Sequence, residues 1–300
     1  MSRAFFRTGL ARAGLRRGPA ACGVLLALLL AAVAGASFAA PKDSPRSVLL
    51  ATTTSVQDSG LLDVLLPLFR EQTGIRVQAV AVGTGAALRM GAEGNADLLL
   101  THAPEAEKTL LRENAVSERV EIMENYFVLA GPGDDPARAA QASSVIEALR
   151  AIRDQQQPFV SRADDSGTHK RETALFRDAG IDPDLRWPGL TRTGSGMGIS
   201  LQVAGQREAY ILSDMGTFLA FRERTGLVAL SRHEPALRNV YAVLIVNPER
   251  FSGIRAAEAR QLANFLQGAV AREVMGEFGT ARFGRPLFQP LDSLPAVAAP

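Results

Sequence analysis

Short apolar runs alternate with segments of helical period along this chain, and no other feature restricts its fold as strongly. "SVLLAT" (residues 47–52) reads as a buried strand. Leu61, Leu65, Leu68 and Phe69 then recur at helical spacing until Gly74 stops the helix. "VQAVAV" (77–82) and "ADLLLT" (96–101) are further strands. "APEAEKTLLREN" (103–114) is a helix opening with Pro104 and two glutamates, which suit the positive end of a helix. The same alternation continues through "SSVIEALRAIRD", "PFVS", "THKRETALFRDAG", "GMGISLQVAGQ", "EAYILSD" and "GTFLAFRERTG". Strands that take turns with helices imply an α/β fold of parallel sheets with crossover helices.

Two stretches suggest that the chain builds two lobes. "YFVLAGPGDDPA" (126–137) is a strand running into a Gly/Pro-rich turn, where the chain can leave a first lobe. "NVYAVLIVNP" (239–248) is the longest β-like run of the second half and can bring it back, so that "RAAEARQLANFLQG" and "VAREVMGEFG" pack on the first lobe as helices. The expected division is 47–127 with 243–293 for lobe 1 and 128–242 for lobe 2. Each lobe is a mainly parallel sheet flanked by helices, and two crossover strands leave a cleft between them. The tail "PLDSLPAVAAP" (290–300) is expected to fray.

The first 39 residues read as a removable leader. Arg3, Arg7, Arg12, Arg16 and Arg17 come before any acidic residue, "GVLLALLLAAVAG" (23–35) is an apolar run too short for a comfortable span, and "SFA" (37–39) offers small residues for cleavage after Ala39. This places the mature chain, about 260 residues, in the periplasm. "LRRGPA" lacks the apolar residues that follow a twin-arginine pair. Cys22 precedes the apolar run, which argues against a lipid anchor.

Removing the leader changes the charge argument. Of 33 basic residues five leave, so 28 face 31 acidic ones, and the net charge moves from +2 to near −3. The basic whole-chain balance therefore gives no reason to expect a nucleic-acid partner. The single cysteine leaves too, which removes disulfide and thiolate-metal chemistry, and the three histidines have no metal-ligand spacing. No cofactor and no metal site are expected.

Four Ser/Thr/Gly stretches stand where a strand hands over to a helix: "TTTS" (52–55), "GTG" (83–85), "DSGT" (165–168) and "TGSGMG" (193–198). In open α/β sheets ligands bind beyond the carboxyl ends of the strands. Helix starts there present unpaired N–H groups and partial positive charge to an anion. Any one such stretch is ordinarily just a helix cap; four in one chain, with Arg162 beside one of them, favour an anion cradle. Asp164 and Asp165 would repel an anion if bare, so they are assigned to orienting the Arg162 guanidinium and capping the following helix. Met197 and Trp187 read equally as cleft lining or core. "GTGAAL" lacks the third glycine of a dinucleotide fingerprint, and no Walker lysine follows it. Ser166 and His169 have the spacing of neighbours on a helical turn, but no Gly-x-Ser-x-Gly elbow surrounds the serine. His102 and His233 read as surface or lobe-contact residues.

"TTTSVQDSGLLD", "VAVGTGAAL", "ADLLLTHAPEAE", "FVLAGP", "SRADDSGTHKRE", "GMG…L" and "AYILSD" resemble, in that order, the blocks of periplasmic tungstate-binding proteins that serve ABC importers. The resemblance spans residues 49–248. It implies a type II two-lobed periplasmic binding protein, not an enzyme, that works as a monomer and delivers an oxyanion, tungstate or molybdate, to a membrane permease. Carried over residue by residue, it implies Thr53, Thr54, Ser55, Gly83 and Thr84 as ligand contacts. From the second block it implies Arg162 as the charged donor, with Ser166, Gly167 and Thr168 around it. The chain departs from the family pattern at Met215, where an arginine is expected. The rival readings are a molybdate, sulfate or phosphate receptor of the same architecture, a secreted hydrolase using Ser166, and a sensor that signals through a partner.

Overall fold

The computed structural model describes residues 46–184, 186–292 and 297–298; the leader and its cleavage point lie outside the described residues. The strands are β1 (Ser47–Thr53), β2 (Arg76–Val82), β3 (Leu98–Thr101), β4 (Val116–Gly131), β5 (Phe159–Ser161), β6 (Leu190–Arg192), β7 (Tyr210–Asp214), β8 (Val228–Ala229), β9 (Arg238–Val246), β10 (Gln289–Pro290) and β11 (Val297–Ala298). The helices used below are α1 (Thr54–Ser59), α2 (Leu61–Thr73), α3 (Thr84–Ala92), α4 (Pro104–Arg112), α5 (Val145–Asp154), α6 (Gly167–Asp178), α7 (Met197–Gln206), α8 (Met215–Thr225), α9 (Ala256–Gln267) and α10 (Ala269–Glu277).

The strands follow the order β2-β1-β3-β9-β4-β7-β5-β6. In one lobe β1 pairs in parallel with β2 and β3; in the other β5 pairs in parallel with β6 and β7. The crossover strands β4 and β9 are antiparallel to each other and to their neighbours. Along β4 the partner changes at a single step: Tyr126 is registered with Arg238 of β9, and Phe127 with Asp214 of β7. This two-strand passage makes the molecule two-lobed.

Strand alternation decides which face each core receives. Tyr241, Val243 and Ile245 of β9 join Leu50, Leu98 and Leu100 under α2, α9 and α10, whereas Ala242, Leu244 and Val246 join Ala51 and Leu99 under α3 and α4. Both faces are covered, which explains why these strands read as unbroken apolar runs. The second lobe repeats the plan: Phe127, Leu129 and Tyr210 pack under α5 and α6, and Val128 and Ile211 under Leu201 of α7 and Phe218 of α8. Trp187 belongs to this core, with Phe176 at 6.1 Å, rather than to the cleft.

Two elements depart from the sequence reading. The first ten residues of β4 form strand although their polar side chains hide the pattern, and register shifts at Val116/Glu118 and Glu121/Met123 break its alternation further. The tail does not simply fray. Pro290 is registered with Met123, and Val297 and Ala298 with Arg119 and Glu118, because the edge of β4 offers unpaired backbone groups there. Among the described residues no helix is long and apolar enough to cross a membrane, and no group of three potential metal ligands occurs.

Candidate functional site

The first lobe brings three strand ends to one edge of the cleft. β1 ends at Thr53, whose side chain caps α1 by accepting from the Val56 N–H and lies 3.0 Å from the Ser55 hydroxyl. Thr54 beside them is exposed. β2 ends at Val82 and is followed by Gly83, which caps α3 with φ −61°, and a Cβ there would meet nothing within 4 Å. Neither backbone nor packing requires glycine at this point; its absent side chain leaves the start of α3 open to a ligand. Thr84 is 1% exposed, and its Oγ1 is buried with no hydrogen-bond partner.

β3 ends at Thr101 and delivers His102. The loop behind it is held by Glu107, which accepts from the Thr101 hydroxyl at 2.8 Å and the Ala103 N–H at 2.7 Å, and is itself paired with buried Arg119 at 2.9 Å. His102 stands with Nε2 3.2 Å from the Ser55 hydroxyl and Nδ1 3.0 Å from Asn239 Oδ1. Burial foremost holds its pKa down at about 4, so the ring is neutral.

The second lobe supplies the Ser161–Glu172 stretch. β5 carries Arg162 into the interior, 6% exposed. Its Nη2 donates to Asp164 Oδ2 at 2.5 Å and its Nη1 to Thr168 Oγ1 at 3.5 Å, while Nε is buried without a partner. Asp164 also accepts from the Ser166 hydroxyl at 2.7 Å and from the Ser166 N–H at 3.2 Å. The reading of the two aspartates divides here. Asp164 does orient the arginine, but Ser166 rather than an aspartate caps α6, through His169 N–H, and Asp165 pairs with Lys170. Ala163 (φ 49°) and Asp165 (φ 58°) occupy the left-handed region on either side of Asp164. Such conformations cost roughly 1 kcal/mol or more each and collect at functional loops.

The lobes meet over these residues. A Cβ on Gly167 would come 2.3 Å from His102 Cε1, and one on Gly85 would come 3.3 Å from Asp165 Oδ2. A cavity of about 300 Å³ beside the contact is lined by Ser55 and Asp58 of α1 and by Met197, Gly198, Asp214 and Thr217 of the other lobe. Asp58 has its pKa raised by burial first and by Asp214 second, with Arg162 opposing. The structure therefore gathers Thr53, Ser55, Gly83, Thr84, Arg162, Gly167 and Thr168 at the seam. Ser166 is there too, with its hydroxyl committed to Asp164, so the backbone N–H groups at the start of α6 are the donors it leaves available.

No serine–imidazole pair forms from Ser166 and His169. The serine hydroxyl donates to Asp164, and the His169 ring accepts from the Asp165 N–H at 3.1 Å. Met215, 8% exposed, packs with Met197, Leu201 and Phe218 in the core of the second lobe, so an apolar side chain fills the place where the resemblance expects an arginine. His233 stacks on Tyr126 with ring centres 4.5 Å apart. Sequence reasoning did not pick out Asp58, Asp214, Asn125, Asn239 or Tyr241. The one available signal was position: His102 and Asp214 directly follow or close apolar strands, at the carboxyl ends where ligands bind.

Glu172 lies buried on α6 beneath Arg162. Its Oε1 accepts from Ser161, its Oε2 has no partner, and burial above all pushes its pKa up to about 8. The folded carboxyl thus keeps its proton over a range in which the unfolded one, near 4.5, has lost it. Folding takes up a proton there, so stability falls as pH rises from about 4.5 to about 8. Glu172→Gln removes that dependence. The gain in stability over the parent should be small near pH 4.5 and largest near pH 8, on the order of 5 kcal/mol there. Melting curves across this range check it; an equal gap at every pH would contradict it.

Two lobes joined by two crossing strands, with hydrogen-bond donors from both gathered at the seam, define a periplasmic binding protein. A family model of the PBP superfamily domain matches residues 39–269. Over 246 residues the chain is 42% identical to the tungstate-binding protein TupA of Peptoclostridium acidaminophilum, covering 81% of this chain and 85% of that one. It is 31% identical over 239 residues to TupA of Campylobacter jejuni, covering 78% and 87%. The solved structure of the tungstate binding protein TupA from Desulfovibrio alaskensis G20 superposes with a TM-score of 0.72 at 34% identity, covering 82% of this chain and 99% of that one. That of the tungstate ABC transporter from Geobacter sulfurreducens gives 0.69 at 35%, covering 79% and 100%. The chain belongs to the PBP superfamily and, within it, to the family of the TupA tungstate-binding proteins.

Proposed function

We propose that this chain captures tungstate between its lobes in the periplasm and hands it, as a monomer and without catalysing a reaction, to the permease of an ABC importer. The first lobe is assigned as 47–126 with 239–292 and the second as 127–238, because Phe127 packs in the second core and Tyr241 and Ala242 in the first, with the hinge on β4 and β9. The observation that carries the reading is a pair of orphaned donors at the lobe seam: Arg162 Nε and Thr84 Oγ1 are both buried without an acceptor. A buried unpaired donor is costly, roughly 1–3 kcal/mol. An ion made only of acceptor oxygens relieves that cost on both lobes at once. The proposed contacts are Thr53, Thr54, Ser55, Gly83 and Thr84 from one lobe and Arg162, Ser166, Gly167 and Thr168 from the other. Six to eight such bonds, some charge-assisted, suffice for nanomolar binding of about −12 kcal/mol after closure costs. The names of the relatives support tungstate as the ion.

The test is a calorimetric titration of the mature chain with tungstate, molybdate, sulfate and phosphate. Saturable tungstate binding at least a hundredfold tighter than sulfate or phosphate is expected. No heat with tungstate, or tighter binding of sulfate or phosphate, would reject the proposal.

A further inference from the structure

Ser55 touches the anion site on one side and a closed chain of hydrogen bonds on the other. That chain runs from Ser55 Oγ to His102 Nε2, from His102 Nδ1 to Asn239 Oδ1, and from Asn239 Nδ2 to both Asn125 Oδ1 (2.8 Å) and the Tyr241 hydroxyl (2.9 Å). Asn125 Nδ2 closes it on the same hydroxyl at 3.2 Å. His102, Asn239, Asn125 and Tyr241 are all buried, so these groups have only one another to satisfy them. Asn125 lies on β4 and Asn239 and Tyr241 on β9, the two crossover strands.

With the amides placed this way, His102 donates from Nδ1 and accepts at Nε2. The Ser55 proton then goes to His102, and toward the cleft the hydroxyl shows a lone pair, which repels an acceptor-only ion. Turning both amides over about their last bonds gives a second arrangement with the heavy atoms in place. Asn239 then donates to His102 Nδ1 and accepts from Asn125 and Tyr241. The tyrosine proton, which has no acceptor within the chain in the first arrangement, gains one, and in exchange the 3.2 Å contact between Asn125 and the tyrosine oxygen loses its hydrogen bond. His102 now carries its proton on Nε2 and donates to Ser55 Oγ, which frees the Ser55 proton for the cleft, with Thr53 Oγ1 at 3.0 Å as its other acceptor.

We propose that His102 is a positioning residue that changes tautomer, from Nδ1–H in the free chain to Nε2–H in the tungstate complex, and so turns Ser55 into a donor to the anion. The ring stays neutral throughout: it releases the Nδ1 proton to solvent and takes one up at Nε2 while the lobes are apart, and Ser55 keeps its own. Burial that holds the imidazole pKa near 4 agrees with a tautomer change rather than protonation. The arrangement makes Ser55 selective for ions that bring no proton of their own.

This inference rests on the proposed tungstate reading, and its test separates the two. Imidazole nitrogen resonances are recorded on the nitrogen-15-labelled mature chain before and after saturation with sodium tungstate, in a sample whose binding is first measured by calorimetry. His102 is assigned by its loss in His102→Gln or, if that variant does not fold, by eliminating the other two rings with His169→Gln and His233→Gln. The expected result is a protonated nitrogen that moves from Nδ1 to Nε2. Binding heat with the proton on the same nitrogen in both states overturns the switch and leaves the receptor reading intact. Absence of binding heat rejects both.

Discussion

Arg162→Ala is expected to weaken tungstate by at least about 3 kcal/mol, the scale for truncating one partner of a buried charge pair. The guanidinium is 6% exposed, and of its donors one is spent on Asp164 and one reaches Thr168, while Nε has no acceptor. Removing it takes a charged donor from the ion. It also leaves Asp164 unpaired on that side, so a carboxylate faces the site without its counter-charge. Both effects act in the same direction. Arg162→Lys should restore only part of the loss, because a point charge cannot hold Asp164 and present a second donor in the fixed plane of a guanidinium. Thr84→Val, which deletes one neutral orphaned donor, should cost less, about 1–2 kcal/mol. Calorimetric titration of the three variants beside the parent decides the order; an Arg162→Ala variant that binds as tightly as the parent would show that this stretch is not the anion site.

Gly167→Ala is expected to weaken tungstate by about 1–3 kcal/mol, roughly five- to more than a hundredfold, while leaving the free protein as stable as before or slightly more so. The added methyl would lie 2.3 Å from His102 Cε1, 2.9 Å from Nε2 and 3.0 Å from Nδ1. The ring cannot step aside, since Ser55 and Asn239 hold its two nitrogens and Tyr241 lies against its face at 4.9 Å. Only separation of the lobes relieves the clash, and that pulls the donors of the two lobes off a shared ion. Gly167 begins α6 and has no positive φ, so the helix itself accepts alanine. The two readouts therefore part: affinity falls and the melting temperature of the ligand-free chain does not. A loss of both would place the damage in folding; unchanged affinity would mean that this contact is not made in the bound state.

The elements that sequence exposed are those whose signal is local. An apolar run ending in Thr-Thr-Ser, or a helix stopped by Gly74 in the left-handed conformation (φ 72°), carries its evidence within a few residues. β6, three residues long, is too short to show a period, and the polar half of β4 is strand only because β9 and the tail supply partners. Arg119 illustrates the difficulty: nothing local marks it as buried, yet it is 6% exposed because Glu107, twelve residues away, neutralises it inside the fold.

The candidate site divides in the same way. By itself the sequence determined which residue types could meet an oxyanion and at which strand ends, because caps and glycines are written locally and the rule that ligands bind at carboxyl strand ends does the rest. It left the pairing of those residues undetermined. Tertiary structure alone decided that Asp164 and not Asp165 takes Arg162, that Asp164 also takes the Ser166 proton, that Gly167 closes onto His102, and that His102 joins Ser55 to Asn239, 137 residues along the chain from the histidine. The reason is physical: hydrogen bonds and close contacts depend on ångström placement of groups that the chain brings together only on folding, and that placement follows from the packing of two cores about β4 and β9, which no local pattern records.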